Sequence, residues 1–275
     1  GRAPNSLPGR SYHKRERRWR RRYLPYCRIG YSTVSYSTVT SLNRINPVVA
    51  PKTPPLYDRA KEQAELDRAW KSGKPELLIA TGRRRAGKSY LLSRYLKGRA
   101  GLYYQATKST SRDQLRTLSN VVATQFQQTG LEFAAGFSDW ESFFSFIVSQ
   151  AKGKPFLLIL DELPYLLDAV RGFGTLLQKV WDHELQGTQV KLVLSGSYVS
   201  AMRRLTTADQ PLHGRKTGSL SFSPFSYRDA AEFCPAYSAR DRLIAFATFG
   251  GLPGQLSLID PSRDFTKFSK IIQTD

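Results

Sequence analysis

Gly82-Arg83-Arg84-Arg85-Ala86-Gly87-Lys88-Ser89 fits the pattern G-x-x-x-x-G-K-[S/T] without a mismatch. That pattern describes a loop whose backbone N–H groups wrap a polyphosphate, with the Lys reaching the outer phosphates and the Ser hydroxyl helping to hold Mg²⁺. The flanks supply the context such a loop needs. Before it, Glu76-Leu77-Leu78-Ile79-Ala80-Thr81 reads as a short buried strand. After it, Leu91, Leu92, Tyr95 and Leu96 recur at helical spacing, and the run stops at Gly98. The stretch Gly82–Tyr90 is therefore the candidate nucleotide cradle.

Working outward, Leu102-Tyr103-Tyr104 looks like a second strand. Two longer apolar runs follow: Phe156-Leu157-Leu158-Ile159-Leu160, leading into Asp161-Glu162, and Val190-Lys191-Leu192-Val193-Leu194, leading into Ser195-Gly196-Ser197. Near-continuous apolar runs suit central strands of a parallel sheet covered on both faces. Helical patterns lie between them, over Asp58–Trp70 and after the capping pairs Ser111/Gln114 and Ser138/Glu141. The aromatic stripe Trp140, Phe143, Phe144 reads as core. Strands alternating with helices predict a doubly wound α/β domain over residues 51–223. Past Pro224, helical candidates at Ser226–Phe233 and Ser238–Phe249 predict a small helical subdomain, residues 224–275.

A phosphate loop leaves Mg²⁺ poorly fixed unless an acid stands at the tip of a neighbouring strand. Asp161 stands there, and Glu162 beside it could polarise a water for attack on the γ-phosphorus. Ser195, at the tip of the next strand, is a candidate for touching the γ-phosphate or orienting the water. Arg215 is a weaker candidate for sensing that phosphate. His13, His183 and His213 form no cluster in the sequence, and no nucleophile–base pair is visible.

The chain has 275 residues, 40% hydrophobic and 12% aromatic, enough for a core. No apolar run approaches the roughly 18 residues of a membrane span, and no signal peptide is recognisable. Cys27 and Cys234 lie far apart in no metal-ligand spacing, which fits a reducing, cytoplasmic setting. The net charge of +20 is uneven, because residues 1–50 hold 11 Lys/Arg against the single acid Glu16. Such density repels itself and predicts a disordered segment. It reads either as an arm gripping nucleic acid, with Trp19 and Tyr23 available for stacking, or as a solvated tail. Pro47, Pro51, Pro54 and Pro55 mark a linker after it. A chain that begins at Gly1 and has Met202 as its single Met reads as a fragment or processed product.

These residues resemble the archaeal-type ATPases of the AAA+/STAND group of P-loop proteins, over roughly Leu56 to Leu258. The carriers are Tyr57-Asp58-Arg59 with Glu62 and Leu66, the double Arg before the second loop glycine, Leu160-Asp161-Glu162 as the Walker B strand end, and Leu194-Ser195-Gly196-Ser197 as the sensor strand. Leu212-His213-Gly214-Arg215 and Gly251-Leu252-Pro253 complete the set. The resemblance implies an ASCE-type core with Glu162 as catalytic glutamate and Ser195 in the sensor-1 role. It also implies Pro253 near the nucleotide, Arg59 near the adenine side, and a winged-helix region beyond the stretch in hand. The expectation is an Mg²⁺-dependent ATPase, cycling between ATP and ADP, with nucleic acid and a second copy of the chain as candidate partners. A slow nucleotide switch or scaffold stays open beside it. A small-molecule kinase would need an acceptor pocket with acid and base groups, and none is visible.

Overall fold

The computed structural model describes residues 58–126 and 136–259. The basic segment 1–50, the proline linker and Tyr57 lie outside the described residues.

The chain enters through helix α1 (Ala60–Lys71), strand β1 (Glu76–Gly82) and helix α2 (Lys88–Leu96). Strand β2 (Gly101–Gln105), helices α3 (Ser111–Phe126) and α4 (Trp140–Ala151), and strand β3 (Phe156–Asp161) follow. Helices α5 (Leu163–Ala169) and α6 (Phe173–Val180) lead through a π-helical turn, Trp181–Leu185, into β4 (Val190–Gly196). Helix α7 (Val199–Arg204) and strand β5 (Gly218–Phe222) close the sheet domain. Three short helices end the described chain: α8 (Tyr227–Ala231), α9 (Ala239–Phe249) and α10 (Pro253–Leu256).

The five strands pair in parallel in the order β2-β3-β4-β1-β5. This is the doubly wound α/β arrangement read from the sequence, with β4 inserted between the loop-bearing β1 and the acid-bearing β3. Because side chains alternate across a strand, each central strand feeds two cores. Leu77 and Ile79 of β1 join Leu158, Leu160, Leu192 and Leu194 under α3 and α4, together with Phe143 and Phe144. Leu78 and Ala80 face the other way, with Ile159 and Val193, against Leu66 and Ala69 of α1 and Leu91 and Leu92 of α2. A separate cluster, Phe225, Ala230, Cys234, Tyr237, Ala245, Leu256 and Ile259, holds the final helices together.

Strand β5 is absent from the sequence-based reading. Gly218-Ser219-Leu220-Ser221-Phe222 buries only Leu220 and Phe222, so this edge strand alternates instead of forming the continuous apolar run that marks β1, β3 and β4. The helix starts also shift by one residue. Thr110 caps α3, accepting from the Asp113 N–H at 3.2 Å and donating to the Asp113 carboxylate at 2.8 Å. Gln114, expected in the cap, is instead buried and accepts from Tyr104 Oη at 2.6 Å. Helix α4 is capped reciprocally by Asp139 and Ser142, not by Ser138 and Glu141. In both cases a neighbouring residue of the same cap-forming class took the position, a choice that residue type alone does not make.

At the N-terminal ends of β1 and β4 the sheet buries a charged group of its own. Lys191, 1% exposed, donates to Ser72 Oγ and the Lys74 carbonyl. Glu76, fully buried, accepts from Arg68 Nη1 at 3.0 Å. Burial pushes the Glu76 carboxyl up, yet hydrogen bonds from Arg68, Thr217 and Ser72 outweigh it and hold the group below its ordinary value. A carboxylate held low stabilises the fold above its unfolded-state value and loses that contribution as pH falls through the folded one. Glu76→Ala, which unpairs Arg68 and removes the acid whose charge favours the buried Lys191 ammonium, should lower stability by about 3 kcal/mol, measured as a reduced denaturation midpoint at neutral pH. An unchanged midpoint would refute that role.

Candidate functional site

The site lies at the C-terminal ends of β1, β3 and β4, the edge where open α/β sheets bind ligands. The loop after β1 is shaped by two left-handed residues, Arg85 at φ 65° and Gly87 at φ 89°. Gly82, its first glycine, has no room for a Cβ, which would lie 2.6 Å from Phe222. Arg83, Arg84 and Arg85 point into solvent, whereas Ala86 is buried beneath them. The Tyr90 hydroxyl, on the first turn of α2, receives Arg94 Nη1 at 3.2 Å.

Lys88 is 5% exposed and curls back over the loop, donating to the Gly82 carbonyl at 2.8 Å, the Arg83 carbonyl at 3.3 Å and Ser197 Oγ at 3.1 Å. Burial pushes its ammonium below the ordinary lysine value, while Glu162 and Asp161 pull it back up. Ser89 Oγ donates to Asp161 Oδ2 at 2.5 Å. Asp161, fully buried, also accepts from Tyr103 Oη at 2.6 Å and the Glu162 N–H at 3.0 Å.

Glu162 takes the left-handed conformation, φ 53° and ψ 45°, at the N-cap of α5. A non-glycine residue there costs of order 1–3 kcal/mol, and such strain clusters at functional sites. Its carboxylate accepts twice from one residue: Oε1 from Ser197 Oγ at 2.6 Å and Oε2 from the Ser197 N–H at 3.3 Å. Ser197 Oγ thus stands between the Lys88 ammonium and the Glu162 carboxylate.

The structure therefore brings Lys88, Ser89, Asp161 and Glu162 together, but it does not place Ser195 among them. Ser195 lies inside β4, opposite Ala80, fully buried, and its hydroxyl has no partner among the described residues. Ser197, two residues on, has left the strand and occupies the junction. Ser195 and Ser197 share one parity, so alternation does not separate them; the signal that favoured Ser197 was its place after Gly196, where the strand ends. Tyr103 was also missed as a site residue, since a Tyr in an apolar strand reads as core.

Arg215 is directed elsewhere. It makes a bidentate ion pair with Asp182 at 2.7 and 2.8 Å, two residues before Thr217, whose N–H bonds the Leu77 carbonyl near the start of β1. That is the end of the sheet opposite the loop. Pro253 does approach the loop, 3.7 Å from where a Gly87 Cβ would stand, and the Gly254 N–H donates to the Arg85 carbonyl at 3.0 Å. Arg59 is buried beside the loop, donating to the Ala86 and Ser223 carbonyls at 2.9 and 2.8 Å.

The donor set suits a hard cation. A hydroxyl and a carboxylate in direct contact are oxygen ligands of the kind Mg²⁺ takes. That ion keeps waters and substrate phosphates in its shell and needs few protein ligands. No helix among the described residues is long and apolar enough to cross a membrane.

Residues 56–259 match a family described as an ATPase domain predominantly from Archaea. Over 205 residues the chain is 28% identical to the uncharacterised Methanocaldococcus jannaschii protein MJECL04, covering 74% of this chain and 44% of that one. Over 54 residues it is 35% identical to MJ0424 of the same organism, covering 20% of this chain and 52% of that one. The chain thus spans about half the length of these relatives. Among solved structures, the Walker-type ATPase PABY2304 of Pyrococcus abyssi is similar at TM-score 0.63 and 22% identity, over 81% of this chain and 73% of that one. The Aeropyrum pernix ORC1 protein, solved in complex with DNA, is similar at TM-score 0.53 and 15% identity, over 82% and 68%. These likenesses establish the P-loop α/β fold.

Proposed function

Because the chain belongs to the family of ATPase domains found predominantly in Archaea, we propose that it binds ATP with Mg²⁺ on Gly82–Ser89 and hydrolyses it with Glu162 as general base. One observation carries this reading: Lys88, Ser197 and Glu162 form a hydrogen-bonded series beside the Ser89–Asp161 contact. That geometry supports reading the loop as a phosphate cradle, Ser89 and Asp161 as a hard-cation pair and Glu162 as a base at one sheet edge.

In this reading the loop N–H groups and Lys88 hold the β- and γ-phosphates, and Ser89 and Asp161 would hold Mg²⁺, which supplies charge neutralisation of the phosphates. Glu162 accepts a proton from a water whose oxygen bonds the γ-phosphorus, while the bond from that phosphorus to the bridging oxygen breaks and ADP departs. Ser197 sets the direction of the Glu162 carboxylate. Pro253 and Gly254 carry the lid helices onto the loop, so nucleotide exchange and lid movement are linked. Arg83, Arg84 and Arg85 lie along the cradle's outer rim, and Tyr90 and Arg59 flank it.

Lys88→Ala should weaken ATP binding by about 30-fold, equivalent to about 2 kcal/mol for a charge-assisted hydrogen bond. Calorimetric titration checks it, and unchanged affinity would overturn the assignment. The pH dependence has a definite sign. Phosphate binding favours protonated Lys88, whose value in the free protein lies below the ordinary 10.5. Affinity should therefore be flat below that lowered value and fall by up to about tenfold per pH unit above it.

A second reading, a slow switch that retains ADP, draws on the double hydrogen bond that already occupies Glu162. Ser197→Ala separates the two. If Ser197 aims the base, turnover should fall by about tenfold with ATP affinity within about threefold. If Ser197 restrains the base, turnover rises. Single-turnover rates with ADP release followed separately give the answer.

A further inference from the structure

We propose that the cavity between α5 and α7 is a binding site for single-stranded nucleic acid. It measures about 580 Å³ and is lined by Lys108, Tyr165, Asp168, Tyr198, Ser200 and Arg204, among others. Its walls hang from the C-terminal ends of three strands. Lys108 lies in the loop after β2, α5 follows β3, and α7 follows β4. In an open α/β sheet that edge is where ligands are taken.

The chemistry of the lining selects the ligand. Tyr198 is 58% exposed, and Tyr165, partly buried against the core, also lines the cavity. Exposed rings on a concave wall are stacking platforms, and stacking tolerates any base because every base has a π-face. Lys108 and Arg204, both exposed, supply charge for phosphates. Neither they nor Asp168 form an ion pair or side-chain hydrogen bond among the described residues, so the cationic groups are available to a ligand. The cavity carries two basic groups against one acid, on a chain of net charge +20. The side-chain hydroxyl of Ser200 adds a donor for phosphate oxygens. Duplex would present its bases stacked inside the helix, out of reach of Tyr165 and Tyr198; a single strand offers them.

The position adds a consequence. Tyr198 directly follows Ser197, and Pro164, which also lines the cavity, lies two residues after Glu162. A base stacked on Tyr198 would thus bear on the contact that orients Glu162. Binding itself does not depend on ATP chemistry, so it can be tested with no nucleotide present.

The test is photocrosslinking of the full chain to a single-stranded oligonucleotide bearing 5-iodouracil, with the linked residues mapped by mass spectrometry. Crosslinks should fall on Tyr165 and Tyr198, disappear at position 198 in Tyr198→Ala, and return in Tyr198→Phe. In parallel, the Lys108→Ala/Arg204→Ala double variant should lower the slope of log affinity against log salt by about 1.4, two phosphate contacts at about 0.7 each. Crosslinks confined to residues 1–50, an unchanged salt slope, or equal capture of the matching duplex would each overturn the proposal. Displacement by an acidic peptide without any crosslink in the cavity would overturn it too, assigning the surface to a protein partner.

Discussion

Replacing Glu162 with Gln should cut steady-state ATP turnover by about a hundredfold to ten-thousandfold, the usual contribution of a positioned general base, while ATP affinity stays within a few-fold. The expectation follows from where the carboxylate is and what it does not touch. Among the described residues, Ser89 Oγ bonds Asp161 and not Glu162. Its oxygens are engaged by Ser197, and its main chain is fixed in the left-handed region by the start of α5. Gln keeps the size and can still accept from Ser197 Oγ, but it cannot take up a proton. The loss should therefore appear in kcat and not in KM, and bound ATP should persist long enough to be recovered from the protein. Retained turnover would remove Glu162 from the chemistry and leave only the switch reading. Loss of binding together with turnover would show instead that the residue supports the loop.

Much of this architecture could be read from the chain because the decisive elements announce themselves locally. Continuous apolar runs gave β1, β3 and β4, and the glycine loop and the acids at the tip of β3 gave Lys88, Ser89, Asp161 and Glu162. What escaped was set by geometry that periodicity does not encode. β5 alternates serine with apolar residues on a sheet edge, so it lacks the run that marked its neighbours. Ser195 and Ser197 are the same residue type two positions apart. Only the end of β4 at Gly196 decides which of them turns toward Lys88 and which stays buried within the sheet. Arg215 is only a weak phosphate-sensor candidate along the chain, and Asp182, from a π-helical turn 33 residues earlier, captures it. Long-range partners of this kind are invisible to a reading along the chain.

Arg59 presents the sharpest contrast between what the motif resemblance implies and what the side chain touches, and Arg59→Met should expose it. The guanidinium is 4% exposed and joins three segments: the entry to α1, the phosphate loop through the Ala86 carbonyl, and the chain after β5 through the Ser223 carbonyl. It also lies 4.4 Å from the Phe225 ring centre and 5.3 Å from that of Phe222, and pairs with Glu62 at 3.4 Å. Burial pushes the guanidinium down from its ordinary value, while Glu62 and Asp58 pull it back. Met would fill similar space but leave the buried Ala86 carbonyl, the part-buried Ser223 carbonyl and the Glu62 carboxylate without their donor. Breaking a buried charged network from one side costs about 3 kcal/mol or more, equivalent to about 6–12 °C in Tm for a chain of this size. Arg59→Lys should recover only part of this: an ammonium can replace Nη2, which alone donates to both carbonyls, but not the separate Nη1 contact to Glu62 or the planar guanidinium beside Phe225 and Phe222. If instead Arg59 serves chiefly the adenine side of the nucleotide, Arg59→Met would leave Tm in place and weaken ATP binding alone. A fall in Tm without ligand, followed by a proportionate loss of affinity because Ala86 is no longer held, identifies Arg59 as the brace that fixes the loop between α1 and β5. The two outcomes differ in which measurement moves first, so thermal unfolding and calorimetry on the same variant decide between them.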